Sequence, residues 1–255
     1  MHKFNLKTFQ LKGVNFLAEQ ERLLDRIIHG HIEETSAHYH LAAVSTFYAA
    51  QRNANLIETL NAGVTICDSK PIFKLMTATK RNPFYMRGTD FMRYALLNMP
   101  SSTRHYFYGA TPAIQDKLKV HIAESYPRVI TAGFLSPLMS SNPLDFQADL
   151  KAIKNSKPDV VWIALGSPKQ DFVAENVAKI LNVRAIAVGA AFEFFANPKS
   201  EAPKFIRNTG LEWVFRLSRE PGRLFLRYLF GNSYFMKVYV FEILIFFRQR
   251  FSNKE

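Results

Sequence analysis

Asp68, Lys169 and Gln170 are the side chains whose type and position suit chemistry, because each follows an apolar run that ends abruptly. Val160-Val161-Trp162-Ile163-Ala164-Leu165 has no polar alternation, which reads as a strand buried on both faces. Gly166-Ser167-Pro168 then breaks the pattern, and helical spacing resumes from Asp171 to Leu181 (Phe172, Val173, Val177, Ile180, Leu181). A buried strand, a polar turn and a helix start make the crevice where open α/β sheets bind ligands, with backbone N–H groups free to meet an anion. Lys169 adds a cation there, and Gln170 an amide that both donates and accepts. Asp68 closes a second short run, Val64-Thr65-Ile66-Cys67, and in a parallel sheet would point into the same crevice. Two blander readings stay open: an Asp here also caps the next helix, and polar βα turns are common. His38 and His40 have no third partner in the pattern and read as surface or core residues. The single cysteine, Cys67, excludes an intramolecular disulfide and a multi-cysteine zinc site, and no metal-ligand set or cofactor motif is expected.

The elements that must position these groups alternate along the chain. Phe9, Leu11, Val14 and Phe16 form a short apolar alternation, and Ala18 to Ile32 has helical spacing. Strands are expected near 39–46, 64–68, 106–110, 129–133, 160–165 and 184–191. Helices are expected over 47–61 (ended by Gly63), from Pro71 through Met76, and over 91–99 with Thr89 or Asp90 as cap. Further helices are expected over 113–125, 144–155 and 171–181, with a loop from Ser136 to Pro143. Alternation of this length means a Rossmann-like α/β fold, a parallel sheet with helices on both faces. From Phe194 the grammar changes: a loop through Asn197, Pro198, Ser200 and Pro203 leads to a basic, helix-like stretch broken at Glu220-Pro221-Gly222. The expected division is 1–195 for the sheet domain and 196–255 for a helical appendage.

Composition narrows the class. A 255-residue chain that is 48% apolar, with no low-complexity tract, is globular. Its +12 charge calls for an anionic partner, and half of that excess lies beyond Lys204, interleaved with aromatics such as Phe225, Tyr228, Phe230 and Tyr234. Basic and aromatic residues together favour an anionic membrane surface over a nucleic-acid groove, and no nucleic-acid module is recognisable. Ser233 to Phe247 is apolar but short, with Lys237 and Glu242 inside it, which favours a helix lying on the bilayer over one spanning it. The first 30 residues carry mixed charge and no unbroken apolar core, so no signal peptide is expected, and the natural compartment is the cytoplasm.

Three ordered segments resemble one family. Leu165 to Asp171 is similar to its G-[AS]-P-K-Q-E segment, and Val188-Gly189-Ala190-Ala191-Phe192-Glu193-Phe194 to its V-G-[GA]-[SA]-F-D-[FV]. Ala202-Pro203, Gly210 to Leu217 and Glu220-Pro221-Gly222-Arg223 are similar to its R-A-P…G-L-E-W-[LV]-[FY]-R-L…E-P-x-R. These are the WecG/TagA/CpsF glycosyltransferases (family 26), and weaker similarity extends over nearly the whole chain after residue 40. The resemblance implies transfer of a sugar, with inversion and without a metal, from a nucleotide-sugar to a polyprenyl-diphosphate-linked saccharide in bacterial surface-polysaccharide synthesis. A UDP-linked donor of the N-acetylmannosamine or uronic acid type follows by the same analogy. So do a peripheral place on the inner face of the cell membrane and self-association as a homo-oligomer. It implies Asp68 as the general base and Gln170 as an active-site amide. Thr89 and Asp90 match the G-x-D segment, and Gly166, Ser167, Gly189 and Glu193 fall in the substrate-binding segments. Arg216, Arg223 and Arg227 match appendage arginines that close on the diphosphate, where Lys169 is added as a further phosphate contact. Inverting transfer needs one carboxylate base and charge stabilisation on the leaving diphosphate, which arginines supply well.

The chain departs from the family pattern in places. Ser69 stands for the Gly after the Asp, Cys67 for the Pro before it, Glu201 for the Arg of R-A-P and Glu193 for the Asp of F-D. The T-x-N segment falls near Leu41 to Ala43, where neither residue appears. These leave two readings besides the transferase: a catalytically silent relative that binds lipid-linked sugar or a partner, and, from charge alone, a nucleic-acid binder.

Overall fold

The computed structural model describes residues 7–18, 37–137 and 143–252. The helix expected over Ala18 to Ile32 falls outside these from residue 19 on, as does 138–142 of the loop expected from Ser136 to Pro143.

Among the described residues β1 (Thr8–Leu11) and β2 (Val14–Leu17) form an antiparallel hairpin. Lys12 and Gly13 both adopt positive φ in its turn, the handedness that matches strand twist in a two-residue hairpin. The six remaining strands are β3 (His38–Ala42), β4 (Val64–Cys67), β5 (Arg104–Gly109), β6 (Ile130–Leu135), β7 (Val160–Ala164) and β8 (Arg184–Ala187). They form one parallel sheet in the order β4-β3-β8-β7-β5-β6, so the expected α/β class holds.

Strand β7 is buried at every position, as its unbroken apolar run requires. Its alternate side chains serve two cores. Val160, Trp162 and Ala164 pack with α4 (Gly88–Asn98), α5 (Pro112–Ser125) and α8 (Ala191–Ala196) on one face. Val161 and Ile163 pack with α6 (Pro143–Asn155) and α7 (Lys169–Leu181) on the other. The connection leaving β5 runs outward to β6, while that leaving β7 runs inward to β8. Such a reversal opens a crevice at the carboxyl ends of the strands.

Several local expectations need correction; the strands expected to reach residues 46 and 191 end at Ala42 and Ala187, where helices take over from Val44 and Ala191. The helix expected over 47–61 is two, α1 (Val44–Ala50) and α2 (Ala54–Ala62), because the Asn53 side chain accepts from Leu56 N–H and starts a new helix. Gly63 ends α2 in extended rather than left-handed backbone; a Cβ there would meet the His38 ring and carbonyl, so close packing is what demands glycine. Helix α4 begins at Gly88, with Arg87 at its N-cap, so neither Thr89 nor Asp90 is the cap.

Beyond a 3-10 turn (Pro198–Ser200) lie α9 (Lys204–Thr209), α10 (Glu212–Arg219) and α11 (Pro221–Ser252). Glu220 caps α10 and Pro221 opens α11, placing the expected break. Helix α11 is longer than the apolar stretch suggested, because Gly231 and Lys237 do not interrupt it. Its Phe235 and Val238 are buried in a third core with β1, β2, α1 and α3 (Lys70–Ala78). Glu242 pairs with Arg81 at 2.6 Å and with Lys12 at 3.7 Å. Leu229, Phe230, Met236 and Leu244 face away from the domain, exposed, while the exposed Phe241 ring lies under the Lys12 ammonium of the hairpin at 4.3 Å.

Candidate active site

The carboxyl ends of β3, β4, β5, β7 and β8 surround a cleft of about 730 Å³, roofed by α9, α10 and the first turns of α11. Asp68 and Gln170 both line it. So do Thr89, Gly166, Ser167, Lys169, Gly189 and Glu193 from the sheet side, and Arg216 and Arg227 from the roof. Asp90 is not in the wall; it sits behind Arg87 and bonds Arg87 (3.3 Å) and Arg93 (2.8 Å). Arg223 lies in the first turn of α11, and its side chain is outside the described residues.

Asp68 is free for chemistry because Ser69 does the capping: the Ser69 hydroxyl accepts from Ile72 N–H at the start of α3. The backbone N–H of Gly88 donates to the Asp68 carboxylate. Only glycine lets that segment come so close, since a Cβ at position 88 would stand 2.7 Å from the Val188 carbonyl oxygen. Burial pushes the Asp68 carboxyl up to about 8, helped by the Glu212 charge and opposed by Arg87, Gly88 N–H and Arg216. A carboxyl so placed is basic enough, once ionised, to take a proton from a hydroxyl. The same burial raises the neighbouring Tyr85 phenol and takes the Cys67 thiol to about 12.

Gln170 is buried, and its side-chain oxygen accepts from Gly166 N–H at 3.1 Å, pinning the turn. Its amide nitrogen is directed toward Gly189, 3.9 Å from where a Cβ on that glycine would stand. Arg216 pairs with Glu193 at 3.5 Å and lies over the Phe194 ring, while Arg227 donates to the Ser45 hydroxyl at 2.9 Å. Two donors on the roof, Arg207 Nε and Asn232 Nδ2, are buried without a hydrogen-bond partner among the described residues. Orphaned donors in a cleft wall are suited to ligand oxygens or ordered water.

Sequence reasoning missed Arg87. Its guanidinium makes a two-pronged contact with Glu212 (3.1 and 2.8 Å) and donates to Glu201 at 2.7 Å. Burial alone would lower its pKa; Glu212 and the other carboxylates more than offset that and raise it. Arg207 donates to the same Glu201 oxygen at 2.8 Å. The reversed charge at position 201 therefore does not line the cleft: it joins Arg87, Arg207 and, at 3.6 Å, Arg93, and ties the roof to α4. The one local signal was an Arg beside a Gly at a helix start, too common to single out. Among the described residues no three His, Cys, Asp or Glu side chains converge as a metal-binding group.

Comparison with known proteins bears on this geometry. The sequence matches the "Glycosyl transferase WecG/TagA/CpsF family" over residues 9–250. Among curated proteins it is similar to the N-acetylglucosaminyldiphosphoundecaprenol N-acetyl-beta-D-mannosaminyltransferases of Bacillus spizizenii and Bacillus subtilis. Each is 28% identical over 121 residues, 47% of this chain and 46% of the relative. The Staphylococcus aureus protein of the same description is 26% identical over 115 residues, 44% and 42% of the two chains. The chain thus spans about half the length of the curated relatives it matches. The family match, by contrast, runs through the sheet, the cleft and the roof alike, and the protein belongs to the WecG/TagA/CpsF family of glycosyltransferases.

Proposed function

We propose that this protein is an inverting glycosyltransferase, moving a sugar from a UDP-linked donor to a polyprenyl-diphosphate-linked saccharide. The observation that carries the reading is Asp68, sunk in the floor of a cleft whose roof supplies Arg207, Arg216 and Arg227. The ionised Asp68 takes the proton from the acceptor hydroxyl as that oxygen attacks the sugar carbon. Negative charge then grows on the departing nucleotide diphosphate, where the roof arginines and Lys169 stabilise it. Gln170 holds the Gly166 turn in shape and offers its amide to the bound sugar. The names of the curated relatives favour an N-acetylmannosamine donor and an acceptor bearing N-acetylglucosamine.

Helix α11 supports a place at the lipid surface. Leu224–Arg250 is long and apolar enough to cross a membrane, and only 17% of that window is buried inside the protein. Buried Phe235 and Val238, with the Glu242–Arg81 pair, hold one side of the helix on the domain and favour lying on the bilayer over spanning it. The protein then works peripherally on the cytoplasmic face, with the cleft beside the acceptor's headgroup.

A mass-spectrometric screen of UDP-sugars against a short polyprenyl-diphosphate N-acetylglucosamine tests the reading. Product is expected with wild type and not with Asp68→Asn, while both bind the UDP-sugar. Binding without product from any donor in wild type would mark a silent relative instead.

A further inference from the structure

A buried hydrogen-bonded chain, unused by the transfer chemistry, runs into the cleft wall. His38 and His40 fall on the same face of β3 by strand alternation, against α7. His38 Nδ1 and His40 Nε2 are 2.8 Å apart, and His40 Nδ1 is 2.9 Å from Asp171 Oδ1. The Ser167 hydroxyl donates to Asp171 Oδ2 at 2.6 Å. His38, His40 and Asp171 are 4%, 0% and 1% exposed, whereas Ser167 is half-buried and lines the cleft.

The proton positions follow from the chemistry of the chain. A carboxylate only accepts, so both of its partners must donate. His40 therefore donates from Nδ1 to Asp171, and its Nε2 shares one hydrogen with His38 Nδ1. Burial and the neighbouring His40, with Lys179 in the same sense and Glu175 opposing, hold His38 neutral, its pKa down to about 3. Both hydrogens at the carboxylate, from His40 and from Ser167, point toward Asp171. Ser167 has committed its one hydrogen and shows the cleft only lone pairs.

We infer that Ser167 is an obligate hydrogen-bond acceptor that recognises an N–H or O–H donor on the nucleotide-sugar, with its polarity set by Asp171, His40 and His38. The inference rests on the cleft being the nucleotide-sugar site. The ligand donor is either the imide N–H of the base or a hydroxyl or amide N–H of the sugar. Asp171, His40 and His38 are positioning residues.

Isothermal titration of the full chain with UDP and with UDP-N-acetylmannosamine tests this, alongside melting temperatures. Ser167→Ala is expected to weaken binding about three- to tenfold, the span of one lost hydrogen bond. Ser167→Thr keeps the hydroxyl on Asp171 and should stay within about threefold of wild type. In Asp171→Asn, with His40 keeping its Nδ1 hydrogen, the amide oxygen faces His40, so its NH2 donates to Ser167 and turns the serine hydrogen into the cleft. Donor then faces donor, and binding should fall at least about threefold below that of Ser167→Ala. The double variant Ser167→Ala/Asp171→Asn should return to the Ser167→Ala value. A merely structural chain would leave the double variant no better than Asp171→Asn.

Loss on both probes places the ligand donor on the nucleotide, and loss on the UDP-sugar alone places it on the sugar; either supports the inference. Wild-type affinity in Ser167→Ala would overturn it while leaving the cleft assignment intact. Failure of wild type to bind either probe would overturn both. Where Asp171→Asn does not fold, the Ala and Thr variants of Ser167 decide the question alone.

Discussion

At the scale of single residues, the raised pKa of Asp68 ties the proposed base to stability. The folded protein holds this proton more tightly than the unfolded chain, whose ordinary value is 3.8. The stability contribution is therefore full below that value and is lost as pH rises through about 8. Asp68→Asn removes the loss, so its melting temperature should exceed that of wild type by a margin that grows from acid toward alkaline pH. A constant margin across that window would mean the carboxyl is not perturbed in the fold. As the base, Asp68 should make kcat/KM climb with pH toward a plateau above about 8. Glu212 is the largest charge raising Asp68, and it also occupies Arg87, which lowers it. Glu212→Gln acts on both in the same direction, so the climb should move to lower pH; an unmoved profile would detach Glu212 from the base.

At the scale of elements, the site depends on how closely α4 meets β8 and on how the roof is tied down. Gly88→Ala would drive a Cβ against the Val188 carbonyl at 2.7 Å and displace the N–H that meets Asp68. We expect a loss of about 1–3 kcal/mol in denaturant unfolding, the usual cost of overpacking, with turnover falling further than stability. Glu201 is the knot between α4 and α9, accepting from Arg87 at 2.7 Å and Arg207 at 2.8 Å. Glu201→Gln leaves two nearly buried guanidinium groups facing each other with one charge fewer. The roof should loosen, read as faster amide exchange confined to α9 and α10. Uniform exchange across the sheet would show that Glu201 supports the whole fold rather than the roof.

At the scale of the whole molecule, α11 serves two surfaces at once. One side completes the core over α1 and α3, and the other presents Leu229, Phe230, Met236 and Leu244 to the outside. On the proposed reading this exposed apolar face of a basic chain meets an anionic bilayer. Replacing Phe230, Met236 and Leu244 by Ser should abolish co-sedimentation with phosphatidylglycerol vesicles and leave the melting temperature within a few degrees. Turnover on a water-soluble, short-chain acceptor should survive. Vesicle binding that persists in this variant would move the lipid contact to another part of the protein.

What the sequence determined by itself was whatever local pattern and short spacing encode. The apolar run at Val160 to Leu165 is a central buried strand because a two-faced strand has no room for alternation. The strand–turn–helix grammar put Asp68 and the Gly166 turn at carboxyl ends, and parallel pairing brings those ends to one side of the sheet. The break at Glu220-Pro221 was likewise local. Only the tertiary structure decided the rest, because the partners are far apart along the chain. Arg87 with Glu201 and Glu212, and His40 with Asp171, join residues more than a hundred positions apart. Nothing in the neighbourhood of His40 on its strand says that a carboxylate will arrive from a distant helix. Burial had the last word on Asp68: the sequence left it open as a helix cap, whereas in the structure Ser69 takes the cap and the sheet removes water from the Asp68 carboxyl, raising its pKa.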